Sequence, residues 1–264
     1  MSASLQSQLV LEFSGEGETT RLTRRQAGGL CHIGKPYFDD NVLTLQLVNP
    51  TAGFFAGDLL DIRIKLGDSS QVALTSPSAS RYHTTDGGVS TVRQKFTLGE
   101  ECWLDWWPEI VIPQGKSDSV LRTEIHLTES SEMVFLDLLA PGRVAFGENV
   151  EFRRFETRFD FFKDQTQLVR ERCVVEPEKS LWPLEMPEWE TCYYGVVWIA
   201  GPRAEAALGA VENSEWQSGS LLDAHLAVIR FLAPDSVELR RKASELRQDL
   251  KKVLPRLATD FRKL

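Results

Sequence analysis

The stretch L43-TLQLVNPTAGFFAGDLLDIRIK-L66 decides how this chain reads. Leu43-Thr44-Leu45-Gln46-Leu47 alternates apolar and polar residues, and Leu60-Asp61-Ile62-Arg63-Ile64-Lys65-Leu66 does so again. A period of two puts one side of a strand on a core and the other in water. Between the two runs lie a proline, two glycines and a terminal Asp58. That composition describes a shaped loop, because glycine reaches backbone angles that other residues avoid. The local reading of Asp58 is a turn cap, its carboxylate accepting nearby backbone N–H groups.

The same pattern recurs outward from this stretch. Val72–Thr75, Val89–Leu98, Trp103–Trp107, Val120–Leu127, Met133–Leu139, Phe152–Phe162 and Leu168–Val175 read as further strands. Turn signals separate them, among them Asp86-Gly87-Gly88, Pro113-Gln114-Gly115 and Pro141-Gly142. Many short strands at regular spacing predict a mainly β protein of sandwich, barrel or solenoid type. No strict sequence repeat singles out the solenoid. With no long linker in view, residues 1–264 read as one domain.

Helix is expected only in the C-terminal third. Arg203–Val211 is Ala-rich and follows Pro202. Gly219–Leu232 leaves helix and strand open. The clearest helix spans about 235–254, with Asp235 or Ser236 as cap and Pro255 ending it. Leu239, Ala243, Leu246, Leu250, Val253, Leu257 and Phe261 form one apolar stripe along it. The plain reading is packing on the chain's own sheet. The sharper one is that Leu239, Leu246 and Leu250 dock a partner.

The chain has 264 residues, 42% of them hydrophobic and 26% charged, and a net charge of −8. That balance suits a folded soluble protein and gives no field to attract a phosphate backbone or an anionic membrane. No basic, apolar leader opens the sequence and no apolar run reaches membrane-spanning length. Cys31, Cys102, Cys173 and Cys192 lack CxxC spacing and read as reduced thiols of a cytoplasmic protein.

Enzyme signatures are missing: no GxSxG, Walker A, HExxH or GxGxxG occurs. The four histidines are scattered. Cys31-His32 is the one close pair of metal-binding types, and neighbours on a strand point to opposite faces. Thr75-Ser76-Pro77-Ser78-Ala79-Ser80-Arg81-Tyr82-His83 is a hydroxyl-rich loop in which Ser80 and His83 lack an acidic third member. Asp137 lies inside the apolar run Leu136–Ala140, where a carboxylate is costly unless it is paired. Arg143 is its natural partner by sequence. The other reading makes Asp137 a hard oxygen ligand in a polar interior. Asp137 and Glu148 as a glycosidase pair beside Trp106, Trp107 and Trp182 is an alternative. A generic β interaction module is another.

Five segments in order resemble the urease accessory protein D family (UreD, also called UreH). They are Asn49–Asp58 (NPTAGFFAGD), Thr75–His83, Trp106-Trp107-Pro108-Glu109-Ile110-Val111-Ile112, Gly142–Glu148 (GRVAFGE) and Leu254-Pro255-Arg256. Thr51, Ala52 and Ala56 stand where that family carries glycines. The resemblance implies a β-rich, solenoid-like fold with two helices and no reaction of its own. It implies binding to a UreF-type accessory protein, recruitment of a UreG-type GTPase and contact with urease apoprotein. Nickel would be in transit through an internal channel, with no cofactor tightly held. By motif match the channel residues are Asp58, Ser80, Asp137 and Glu148. Glu171 joins them only for its polar setting, Arg170-Glu171-Arg172.

Overall fold

A computed structural model describes residues 4–17, 19–85, 87–181, 183–257 and 261. Asp86 and Trp182 lie outside the described residues. In chain order the strands begin with β1 (Gln6–Glu16), β2 (Thr19–Ala27), β3 (His32–Ile33), β4 (Tyr37–Asp39), β5 (Val42–Val48) and β6 (Leu59–Leu66). They continue with β7 (Gln71–Thr75), β8 (Ser80–Tyr82), β9 (Ser90–Leu98), β10 (Trp103–Trp106), β11 (Val111–Pro113) and β12 (Asp118–Leu127). Then come β13 (Glu132–Leu139), β14 (Arg154–Lys163), β15 (Thr166–Val175), β16 (Tyr193–Ala200), helix α1 (Ala204–Gly209), β17 (Gln217–Asp223), β18 (Leu226–Ala233) and helix α2 (Ser236–Lys251).

The strands form two sheets. The first runs β15-β14-β12-β9-β6-β1-β2; the second runs β17-β18-β16-β13-β10-β7-β5-β3. From β5 to β14 the chain passes back and forth between them. Neighbours laid down this way are parallel: β6, β9, β12 and β14 in the first sheet, and β5, β7, β10 and β13 in the second. These are stacked coils, so the solenoid is the member of the β family this chain adopts. Leu43 pairs with Val72, Val72 with Leu104 and Leu104 with Met133, in steps of 29, 32 and 29 residues. The unequal steps, filled by turns of different length, explain why no repeat shows in the sequence. Antiparallel strands close the stack, β2 and β15 on the first sheet and β16, β18 and β17 on the second.

Alternation sorts the side chains into two cores. Leu9, Ile62, Phe96, Ile125, Phe135, Phe159 and Trp198 point between the sheets. Trp103, Val134, Leu136, Val197 and Ile229 point from the far side of the second sheet onto the helices. Asp235 caps α2, its carboxylate accepting from the N–H groups of Val237 and Glu238.

The open segment Gly219–Leu232 is strand, split between β17 and β18. α2 ends at Lys251, a few residues short of the expected stop, and turns carry the chain past Pro255. The docking role of Leu239, Leu246 and Leu250 is corrected here. They are 0%, 2% and 0% exposed and belong to the second core, so they cover the chain's own sheet. Their apolar surface has no open side for a partner.

Candidate functional site

The loop Asn49–Asp58 folds around two local devices. Gly53 has φ +142°, and a Cβ there would lie 2.3 Å from the Arg81 carbonyl oxygen. Only glycine lets the loop approach β8 that closely. Phe54 then bridges to Tyr82, the rings stacked at 4.8 Å. Asp58 is buried, and its carboxylate accepts the Leu5 N–H at 2.7 Å and the Phe55 N–H at 2.8 Å. It closes the turn and ties down the start of β1. Asp58→Ala is expected to cost about 1–3 kcal/mol through the two unpaired N–H groups. Hydrogen exchange should speed up first at Leu5 and Phe55; unchanged protection there would refute this role.

Behind the loop, between the sheets, is a cavity of ≈ 230 Å³. Its wall is apolar with polar positions set into it. On β13, Phe135 and Leu139 point into the inter-sheet core while Leu136 and Leu138 point to the helices. Asp137 therefore faces inward, and it lines the cavity. Gln94, Thr123 and Thr157 enter from the opposite sheet in the same way, the Thr123 hydroxyl donating to Gln94 Oε1 at 3.0 Å. Ser80, Tyr82, Asn49 and Glu109 add to the polar lining, as do Thr51, Thr75, Ser76, Ser78 and the cationic Arg81. The Asn49 side-chain oxygen takes both Thr51 donors, and its buried Nδ2 has no partner among the described residues. Glu109 lies at the helix side, with Arg240 of α2 3.4 Å away.

Burial controls the electrostatics. The Asp137 carboxyl is pushed up to about 7 by desolvation, opposed by one backbone N–H, that of Leu138. Tyr82 is pushed up by its own burial and then by the Asp137 charge. Cys173 rises to about 12, first from burial, then from the charges of Glu171 and Asp137. Next to Cys173, Tyr194 and Arg230 form a hydrogen bond, and Arg230 pairs with Glu171. Glu171 sits on β15, the edge strand of the first sheet, outside the cavity lining.

The cavity brings together two of the five residues expected there, Ser80 and Asp137. Asp58 supports the mouth from behind. Glu148 is drawn aside by Arg143, with Nε–Oε2 at 2.9 Å, and accepts the Gly115 N–H at 3.2 Å. The Arg143 hydrogen bond holds the Glu148 carboxyl below its ordinary range. This corrects the expected Asp137–Arg143 pair: the Gly142 and Gly147 turns, both at positive φ, fold Arg143 back onto Glu148. Glu171 is tied to Arg230. The sequence reading passed over Gln94, Thr123 and Thr157. Each is a polar residue at the apolar phase of a strand, the same signal that exposed Asp137.

Of the features of the other readings, Trp106 lines the cavity with Asp137 and the rest are committed elsewhere. Trp106 stacks on Phe135, and Trp107 lies under the Arg247 guanidinium, 4.5 Å from the ring centre. Cys31 is buried beside an outward His32, so the two do not converge. All four cysteines are free. Among the described residues no group of three His, Cys, Asp or Glu side chains is placed to hold a metal ion. No described helix is long and apolar enough to cross a membrane.

Comparison with known proteins bears on the whole length. The profile of the UreD urease accessory protein family matches residues 6–260. Urease accessory protein UreD of Opitutus terrae is 34% identical over 254 residues, 93% of this chain and 93% of that protein. Its counterpart from Klebsiella aerogenes is 28% identical over 266 residues, covering 96% of each. That of Herpetosiphon aurantiacus is 29% identical over 249 residues, 88% of this chain and 86% of the other. With profile and relatives both spanning the coils, the cavity and the C-terminal helix, the chain belongs to the UreD urease accessory protein family.

Proposed function

We propose that this chain is a non-catalytic factor of urease maturation. It assembles with a UreF-type accessory protein, a UreG-type GTPase and urease apoprotein in the cytoplasm, and nickel passes through its interior to the enzyme. The observation that carries the reading is Asp137, an acidic side chain facing a cavity inside a urease accessory protein.

The chemistry of the lining supports transit. A carboxyl that titrates near neutrality releases its proton readily when a divalent cation arrives, and takes it back when the cation leaves. Ser80 and Glu109 add oxygen donors on the same wall, spaced along it. Oxygen donors in small number hold a first-row ion loosely, which suits handing it on. In this reading Asp58 and Glu148 shape the passage through hydrogen bonds, and Glu171 stands outside its lining.

The test is made in cells expressing urease with all its accessory proteins. Asp137→Ala should lower the nickel content of urease by roughly tenfold or more, as for lost metal-site groups, with this chain still co-purifying with its partners. Full urease activity in cells lacking this chain would refute the maturation role. Loss of the complex in the Asp137→Ala variant would reassign Asp137 to structure.

A further inference from the structure

The outer face of the first sheet carries a row of arginines, two of which the fold leaves without a close carboxylate among the described residues. Arg93 of β9 pairs in register with Arg122 of β12, Arg122 with Arg158 of β14, and Arg158 with Arg172 of β15. At the strand spacing of about 4.8 Å, four guanidinium groups stand along some 14 Å of one face. Like charges directly opposite each other destabilise a sheet, so packing gives no reason for the row. It also runs against the charge of the chain, which is −8.

The row divides into two kinds. Arg158 donates to Asp160 at 2.6 Å, and Arg172 holds Glu156 with Nε and Nη2 at 3.0 and 2.9 Å. Arg93 and Arg122 are exposed, and their guanidinium groups make no hydrogen bond among the described residues, although Arg122 lies in the field of Glu156. Asp61, which extends the row beyond Arg93, is taken by Arg63 of its own strand at 3.0 and 3.1 Å. The row thus offers two neighbouring open forks beside two whose carboxylates show how such a fork is filled.

We infer that Arg93 and Arg122, framed by Arg158 and Arg172, form a docking surface for an acidic protein segment. Carboxylates at i and i+4 of a helix have Cβ atoms about 5–6 Å apart, which matches one strand spacing. Guanidinium forks bind such carboxylates in bidentate fashion. The charge pattern argues for a protein and against a nucleic acid. Glu124, Glu156 and Asp160 share the face. They would repel a phosphate backbone, whereas the basic residues that alternate with acidic ones on a helix would meet them.

The probe is a fluorescein-labelled, alanine-based helical peptide with Glu pairs at i, i+4, titrated into the purified full chain by anisotropy. Binding should weaken with salt, and Arg93→Gln with Arg122→Gln should weaken it by roughly tenfold, as two lost ion contacts imply. The double variant should unfold at the same temperature as the parent or above it. Equal peptide binding by the parent and the double variant would overturn the inference. So would tighter binding of a single-stranded DNA of equal charge that depends on the same two arginines. Asp137→Ala should leave peptide binding unchanged, so this inference and the nickel reading stand or fall separately.

Discussion

Arg247→Ala is expected to destabilise the chain by about 3–5 kcal/mol, the cost of leaving a buried charge without its partner. Asp105 on β10 is 0% exposed and faces the helices. Arg247 of α2 reaches it with both Nη atoms, at 3.1 and 2.5 Å. Its guanidinium is also sandwiched between Trp107 and Phe261, 4.5 and 4.6 Å from the ring centres. The substitution removes charge pairing, two hydrogen bonds and two cation–π contacts at once. Chemical denaturation followed by tryptophan fluorescence measures the loss. The double substitution Asp105→Leu with Arg247→Met should recover most of it, because a buried ion pair can be exchanged for apolar packing at little net cost. A loss below about 1 kcal/mol, the range of exposed pairs, would show that the pair behaves as a surface salt bridge.

Asp137→Asn should act in the opposite direction. The folded carboxyl titrates near 7, above its ordinary 3.8. Between those values the folded chain holds a proton that the unfolded chain has lost. Stability therefore falls as pH rises through this window, and the penalty is complete above about pH 7. Asparagine carries no such charge. Three pH units convert to about 4 kcal/mol, and water admitted to the cavity lowers that, so the variant should gain about 2–4 kcal/mol at pH 8. The gain should vanish near pH 3, below the ordinary 3.8, where both states of the parent are largely protonated. Denaturation at several pH values gives the curve; a variant no more stable than the parent at pH 8 would contradict the buried, high-pKa carboxyl. If Asp137 serves nickel transit as proposed, the same variant should also fail to support nickel delivery, and function would retain the residue against stability.

Much of this was legible in the chain. Most strands from Leu43 to Val175 follow from period-two alternation, because each has one face in the inter-sheet core; the short β8, inside what reads as a hydroxyl-rich loop, and β11 do not. Asp235 as cap follows from its place before an apolar stripe. The family follows from five ordered segments, most of them in turns, where a stack of coils places its special residues. What stayed hidden depends on register. Arg143 is five residues from Glu148 and six from Asp137, and only the folded turn shows which it takes. The arginine row joins positions 29, 36 and 14 residues apart in sequence. Leu239, Leu246 and Leu250 show the limit on the helix: an apolar stripe announces a contact without saying whether sheet or partner makes it. Arg247, next to Leu246, is off the apolar stripe, and only the fold shows Asp105 opposite, which draws it inward.

The parallel stacking also constrains the order in which the chain acquires its shape. No coil can close before the next strand of the same sheet has been made, which delays each pairing by about 30 residues and slows folding as contact order rises. The first strand is the extreme case. β1 forms a local hairpin with β2, but its other neighbour is β6, and the Leu5–Asp58 tie spans 53 residues. During synthesis the hairpin must therefore wait with the outer edge of β1 unpaired until β6 emerges, its Leu9-Leu11-Phe13 side meanwhile needing the opposite sheet for cover. In that interval the nascent chain is most open to chaperones and to sticking to its own kind, well before the cavity or the arginine row exists.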